Sequence, residues 1–431
     1  MLYTQKLLAE LERTREHFTS YQDRYGQQLG AYRAALASLG RRYATAQALR
    51  AAQTQRLASA PNGENGQGPS SAGALPTSEY DRWRASGASS GAGVPVLPFG
   101  RDFAHHEEAR AWAECLRGTT TFAVDGSQLL PWRDASVPIA LVQAGLFENP
   151  HEPPAPYVKD VATELLPPDE LLGAVPDADA RTGEALGYST QIVHLRRFEL
   201  EAQTLIARMQ HHQRAGTGGD RRAGKVIAFY DGSLIVSFAL KMPPPYKKRY
   251  VEAARQLLSA SREYQIPLIA YIDTSYARDI VTMLDTLEEN ELPATAGVHD
   301  ALLWQGSMRW GDRTPAFISA RADLESMGYE EQREDIAFVY FQAALDRPPA
   351  RLEFPRWVLE AGLLDGVLDA LRGEVIAGNG YPYPVEAADA VAVISSADRA
   401  QFYAIFQSFA EREGLAFSFS RKALSKNRRR V

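Results

Sequence analysis

The sequence predicts an α/β protein: a mixed sheet flanked by helices, preceded by an N-terminal helical extension. Three patterns point to it. Between residues 119 and 164, β-branched and apolar runs follow one another with no helix-length segment between them. From residue 192 onward such runs alternate with amphipathic stretches long enough for helices, and strands followed by alternation read as a mixed sheet. Two of the apolar runs are also near copies, Thr119-Thr120-Thr121-Phe122-Ala123-Val124-Asp125-Gly126-Ser127 and Lys225-Val226-Ile227-Ala228-Phe229-Tyr230-Asp231-Gly232-Ser233. No tandem repeat of fixed period is visible.

At 431 residues the chain has room for two or more domains and a large core. Its 45% hydrophobic and 23% charged composition is that of a globular protein. The single cysteine, Cys115, excludes a disulfide framework and a cysteine-based zinc site. The start Met1-Leu2-Tyr3-Thr4-Gln5-Lys6 lacks a signal-peptide apolar region. No apolar run approaches the roughly 20 residues of a spanning helix, so a cytoplasmic location is expected. A net charge of -6 argues against wholesale basic coating of a polyanion. It leaves room for a local basic groove, because acidic metal ligands pull the total negative.

The elements are expected in the following order. Residues 3–57 are proline-free and rich in Ala, Leu, Gln, Arg and Glu, with Leu11, Phe18, Tyr25, Tyr32 and Leu39 recurring every seven residues and Leu29, Leu36 and Tyr43 on a second rail. Bulky core residues and Gly26, Gly30 and Gly40 favour a helical hairpin or a docked helix over an ideal coiled coil. Residues 1–60 are therefore one helical segment. The breaker-rich stretch that follows makes 61–95 a flexible linker or loop. A main domain spans 96–420, and 421–431 is a basic tail, a solvated run or a phosphate contact. Within the main domain, helix 107–116 leads into the first Asp-Gly-Ser strand, which is read as ending on Asp125 at a glycine turn. A second strand at 137–146 pairs antiparallel with it, a third follows at 157–164, and a helix spans 192–209. After the second Asp-Gly-Ser strand, Leu234–Lys241 is its hairpin partner or continuation. Helices 247–263 and 276–287 flank a strand at 267–273. Strands at 336–342 and 351–354 and helices at 361–372, 385–395 and 398–413 complete the chain.

Each Asp-Gly taken alone is a common turn opening. As a pair on buried strands laid side by side, Asp125 and Asp231 would bring two carboxylates together, which requires a cation or a shared proton. A third carboxylate on a neighbouring helix would complete an oxygen-ligand site for Mg²⁺ or Mn²⁺. Glu199 and Glu201 both flank the apolar face of helix 192–209, and spacing does not choose between them. Asp273 also ends a strand, but there Asp273 or Ser275 would cap the following helix. In Gly378-Asn379-Gly380-Tyr381-Pro382-Tyr383-Pro384-Val385-Glu386-Ala387-Ala388-Asp389, two Tyr-Pro steps hold the chain extended before a helix. Tyr381 and Asp389 would reach a site from there, or the tyrosines would serve as a packing plug.

These stretches, in this order, resemble the NurA family of nucleases over residues 100–420. The resemblance rests on Val124-Asp125-Gly126-Ser127, the Arg-rich helix with Glu199, Tyr230-Asp231-Gly232-Ser233 and Gly380-Tyr381-Pro382. Gly311-Asp312-Arg313-Thr314 with Phe317 is similar to a further family segment. The resemblance implies an RNase H-like fold, a homodimer, and a 5′–3′ DNA exonuclease (with single-strand endonuclease activity as a side reaction). It also implies work with a HerA-type hexameric ATPase in double-strand break end resection. It implies manganese, with Asp125, Glu199 and Asp231 as ligands, Tyr381 and Asp389 as further catalytic positions, and Ser127, Arg313 and Tyr383 as DNA contacts. Where the family shows histidine, this chain has Asp389, which ligates a metal or accepts a proton but forms no imidazolium.

The expected chemistry is two-metal phosphodiester hydrolysis, with Asp125 bridging and Mg²⁺ as the alternative cation. Tyr381 would orient a phosphate or stack on a base. A catalytically inactive scaffold that regulates a motor ATPase is the competing reading, on the strength of Asp389. An enzyme acting on small phosphorylated substrates would need a phosphate cradle, and no Gly-rich loop followed by Lys-Ser/Thr occurs.

Overall fold

The computed structural model describes residues 3–59, 71–87, 93–132, 135–173, 188–215, 225–288, 292–293, 297–322, 324 and 335–418. The expected basic tail 421–431 lies outside them. The chain begins with helices α1 (Thr4–Arg42) and α2 (Ala46–Ser59), strand β1 (Gly73–Pro76) and helices α3 (Ser78–Ser86) and α4 (His106–Trp112). Three strands follow, β2 (Thr120–Leu129), β3 (Ala140–Asn149) and β4 (Val158–Leu166), then α5 (Pro168–Gly173), α6 (Gln191–Ala215) and β5 (Val226–Asp231). Next come α7 (Pro244–Tyr264), β6 (Leu268–Ile272), α8 (Asp279–Leu287), α9 (Asp300–Trp304) and strands β7 (Phe317–Ala320), β8 (Ile336–Phe341) and β9 (Ala350–Pro355). The chain closes with α10 (Arg356–Glu360), α11 (Leu364–Ala377), α12 (Tyr383–Ala392) and α13 (Ser396–Arg412). Among the described residues no helix is long and apolar enough to cross a membrane. The described residues form two compact units. One runs up to Asp102 and from Tyr271 to Arg356; the other takes Phe103–Ala270 and the chain from Trp357.

The first unit orders its strands β1-β7-β8-β9, antiparallel throughout. The seven-residue rails of α1 are buried only toward its C-terminal end: Tyr32, Leu36 and Leu39 join the core, while Leu11 and Phe18 are exposed. The stretch expected as a linker differs in its described part. β1 pairs with β7, and α3, capped by the Thr77 hydroxyl on Glu79 N–H, buries Tyr80 and Trp83 in the same core. Residues 61–70 and 88–92 lie outside the described residues. The cap of α8 is not local: Asp300 accepts from the N–H groups of Ile280 and Val281 at 3.0 and 2.9 Å. Asp273 instead meets Arg347 at 3.4 Å.

The second unit has strand order β5-β2-β3-β4, with the Leu268–Ala270 part of β6 beside β5. β2 is parallel to β5 and antiparallel to β3. Alternation along β2 assigns its two faces. Phe122 stacks on His212 of α6, and its partner Glu148 on β3 accepts from Arg208 of the same helix, so even-numbered β2 residues face α6. Thr121 donates to Glu374 of α11 at 2.6 Å, so odd-numbered residues face α11 and α12. On that face Gly145 of β3 lets α12 lie close: a Cβ there would meet Ala392 N at 2.5 Å. The second Asp-Gly-Ser strand is followed by a 3₁₀ turn, Ser237–Lys241, and not by a hairpin partner.

Candidate functional site

Asp125 does not end its strand. β2 runs through Gly126 and Ser127 to Leu129, still paired with β3, so the first Asp-Gly-Ser is no turn and Gly126 takes no left-handed conformation. Its echo does end there: β5 stops at Asp231, and Gly232 turns the chain at φ 114°. Parallel pairing of β2 with β5 closes at Val124↔Tyr230, which makes Asp125 and Asp231 the next register positions on neighbouring strands. Residues in register on adjacent strands share a face. The two near-identical runs are thus side by side, and their carboxylates meet where β5 peels away.

Two further groups arrive on the same face. Asp389, on α12 one turn before the Ala392–Gly145 contact, accepts a hydrogen bond from the Asp125 carboxyl. Tyr381, from the Tyr-Pro passage, donates its hydroxyl to Asp231 Oδ1 at 3.2 Å. Asp231 and Asp389 are exposed, which opens the cluster to solvent and substrate. Burial pushes the Asp125 carboxyl up to about 6; the Gly126 N–H opposes this, and Asp231 and Asp389 add to it.

The fourth carboxylate is Glu201. With no side chain on Gly126, the Glu201 carboxylate of α6 occupies the space a Cβ would take. It is buried at 6% exposure, and Arg197, one turn earlier, donates to it at 2.8 Å. Burial raises this carboxyl to about 7 despite Arg197, and Asp125 and Asp231 both act on it in the same direction. Glu199 goes elsewhere. It accepts from Arg249 Nε and Nη2 at 2.7 and 2.5 Å and from Arg196 at 3.2 Å, an ion-pair cluster that neutralises it. On helix α6 the two glutamates are two residues apart and point in different directions. Of the two glutamates the sequence left open, Glu199 is taken up by arginines and Glu201 lies against Gly126, near Asp125 and Asp231.

The expected DNA contacts fare unequally. Ser127 follows Asp125 by two along β2 and shares its face, half-buried opposite Gln143. Tyr383 is half-buried and sits edge-on to Phe147 with ring centroids 5.5 Å apart. Arg313 belongs to the other unit and is buried, paired with Glu79 and donating to Thr314 O at 3.1 Å. In this arrangement its guanidinium is turned into the fold and not toward the surface.

Among the described residues no three His, Cys, Asp or Glu groups converge tightly enough to hold a metal as they stand. The donor chemistry nonetheless suits a hard cation. All four groups are carboxylates, Asp231 and Asp389 both act to raise Asp125, and Glu201 is buried with its proton affinity raised.

Comparison with protein families matches the NurA domain to residues 119–394. Three of the solved structures that resemble the chain are NurA proteins. The NurA nuclease from Sulfolobus solfataricus shares 15% identity at a TM-score of 0.42, covering 68% of this chain and 85% of that one. A NurA with manganese shares 11% at 0.32, covering 68% and 89%. A NurA bound to dAMP and manganese shares 11% at 0.34, covering 65% and 85%. Comparison with curated proteins gave no match.

Proposed function

Because the chain belongs to the NurA family, we propose that it is a manganese-dependent deoxyribonuclease whose site is Asp125, Asp231, Asp389 and Glu201. The observation that carries this reading is the register of β2 on β5, which sets Asp125 beside Asp231. The Asp389 hydrogen bond and the Glu201 seat against Gly126 support it. The wider reading is a 5′–3′ exonuclease with single-strand endonuclease activity on an RNase H-like domain, working as a homodimer in the cytoplasm. Its proposed partner is a HerA-type hexameric translocase in double-strand break end resection. Strands β2 to β9 and the carboxylate site lie within the family match, and no phosphate-binding loop for nucleotide-driven translocation occurs in the chain.

Asp125, Asp231 and Glu201 would hold the cation, in a one- or two-metal site, with Mg²⁺ as the alternative to Mn²⁺. Bound there, the metal would acidify water and neutralise charge that builds on the phosphate. The chain's own groups then have separable roles. Tyr381 holds the Asp231 carboxylate in one orientation through its hydroxyl. Asp389 lies beside Asp125 on the same face, where its carboxylate can accept a proton or join the ligands of a cation held by Asp125. An aspartate at this position accepts a proton and offers no imidazolium donor to the leaving oxygen.

The test is digestion of labelled single- and double-stranded DNA across a Mn²⁺ titration, alone and with a HerA-type ATPase. Cleavage that appears with Mn²⁺ and vanishes in Asp231→Asn supports the reading. Absence of cleavage under every combination supports the inactive scaffold in its place.

A further inference from the structure

We propose that Arg197 is the positioning residue of this site: it clamps Glu201 to the backbone of β2 and so preforms the third carboxylate for a divalent cation. The inference rests on the reading of Asp125, Asp231 and Glu201 as metal ligands. Arg197 and Glu201 are four apart on α6, a spacing that puts them on one face of the helix. Arg197 Nη1 donates to Glu201 Oε1 at 2.8 Å and to Gly126 O at 3.1 Å. One nitrogen therefore ties the helix, the carboxylate and the strand together, at the residue that follows Asp125.

Glycine at 126 is what permits this. A Cβ there would meet Arg197 Cγ and Glu201 Cδ at 2.8 Å, so any side chain would push both groups off the strand. Gly126 itself is in ordinary extended backbone, so its role is space and not conformation. The neighbouring Arg196 turns to other carboxylates and pairs with Glu164, Glu170 and Glu199. Two adjacent arginines on α6 thus serve different acids, and Arg197 is the one joined to the site.

The planar guanidinium holds Nη1 in a fixed direction between its two acceptors, whereas a flexible ammonium at the same position supplies charge without that fixed direction. Arg197 touches neither substrate nor metal in this arrangement; it acts through Glu201.

The decisive measurement is Mn²⁺ binding to the metal-free full chain, read from the electron paramagnetic resonance of free Mn²⁺, with no DNA present. Arg197→Gln should weaken binding by about ten- to a hundredfold, the scale of losing a partner that orients a metal ligand. Arg197→Lys should weaken it by only about threefold, since the charge survives and the double hydrogen bond does not. Circular dichroism in EDTA should show both variants folded at the temperature of the titration. Wild-type affinity in Arg197→Gln, with Asp125→Asn unable to bind, would overturn the clamp while sparing the metal site. Wild-type affinity in Asp125→Asn as well would overturn the site on which it rests. If Arg197→Gln does not fold, Arg197→Lys decides: unchanged affinity there overturns the clamp.

Discussion

Two groups of buried or half-buried carboxylates in this protein meet opposite fates. In the first unit Asp279, Asp300 and Glu353 are almost fully buried. Burial alone would raise Asp279, but Arg351 and Arg321 hold it well below the usual carboxylate range, with Ser319 donating at 2.6 Å. Arg351 also donates to Glu353 at 2.8 Å and lies over the Phe338 ring at 3.8 Å. Three acids face two guanidinium groups there, and burial with Asp279 nearby pushes Asp300 up to about 7. In the second unit Asp125 and Glu201 are both raised, and acids reinforce acids. The first cluster has two guanidinium groups among its acids, whereas the second has Arg197 alone on Glu201 and leaves Asp231 and Asp389 exposed, the arrangement the proposed cation site calls for.

The contrast can be broken at either end. The largest effect is expected from Asp125→Asn or Asp231→Asn, which should lower Mn²⁺-dependent DNA cleavage by on the order of a thousandfold, the scale of losing a preorganised transition-state group. Far-UV circular dichroism should remain native. Next comes Arg351→Met, which takes a guanidinium from Glu353 and leaves Asp279 to Arg321 in the core. Urea unfolding should show a loss of about 3–5 kcal/mol, as for breaking a buried pair from one side. Third, Glu201→Gln should cut cleavage by about a hundredfold and Glu199→Gln by less than about threefold, because only the former lies near enough for Asp125 and Asp231 to act on it. Equal losses in the two variants would undo the assignment of Glu201.

The smallest effect is a pH dependence. Asp125 is raised from 3.8 to about 6 and Glu201 from 4.5 to about 7 in the folded state. The native protein then holds protons that the unfolded chain has released. The stabilisation is complete below about pH 4 and lost as pH rises toward 7. Metal-free protein should therefore melt at lower temperature as pH rises through that window, and Glu201→Gln should flatten the dependence. Mn²⁺ affinity should move the other way, increasing from about pH 5.5 to 7.5 as the cation displaces protons. Calorimetry on metal-free protein and Mn²⁺ titrations at each pH measure both slopes.

Much of the fold was legible because it is periodic. The strand at 267–273 and the antiparallel partner of the first Asp-Gly-Ser strand appear within a few residues of their expected ends. β1 and α3 were hidden inside a Gly- and Ser-rich passage, because their stability comes from pairing with β7 and from Tyr80 and Trp83 reaching a distant core. The cap of α8 was equally invisible, since Asp300 lies twenty residues down the chain from Ile280. The burial of Arg313 was not legible either, because a lone arginine carries no local sign of a distant buried partner, Glu79.

The sequence by itself determined that two aspartates end matching apolar runs and that an Arg- and Glu-rich helix and a Tyr-Pro passage accompany them. Those are properties of neighbours in the chain, and local pattern records them. Which glutamate belongs with the aspartates was decided only by the tertiary structure. Glu199 and Glu201 differ by two positions on one helix, and their fates depend on what packs opposite: Arg249 of α7 takes the first, and the space left by Gly126 takes the second. The same holds for Gly126, whose turn-like dipeptide sits in mid-strand. Contact between α6 and β2 sets its role, and no local preference encodes that contact.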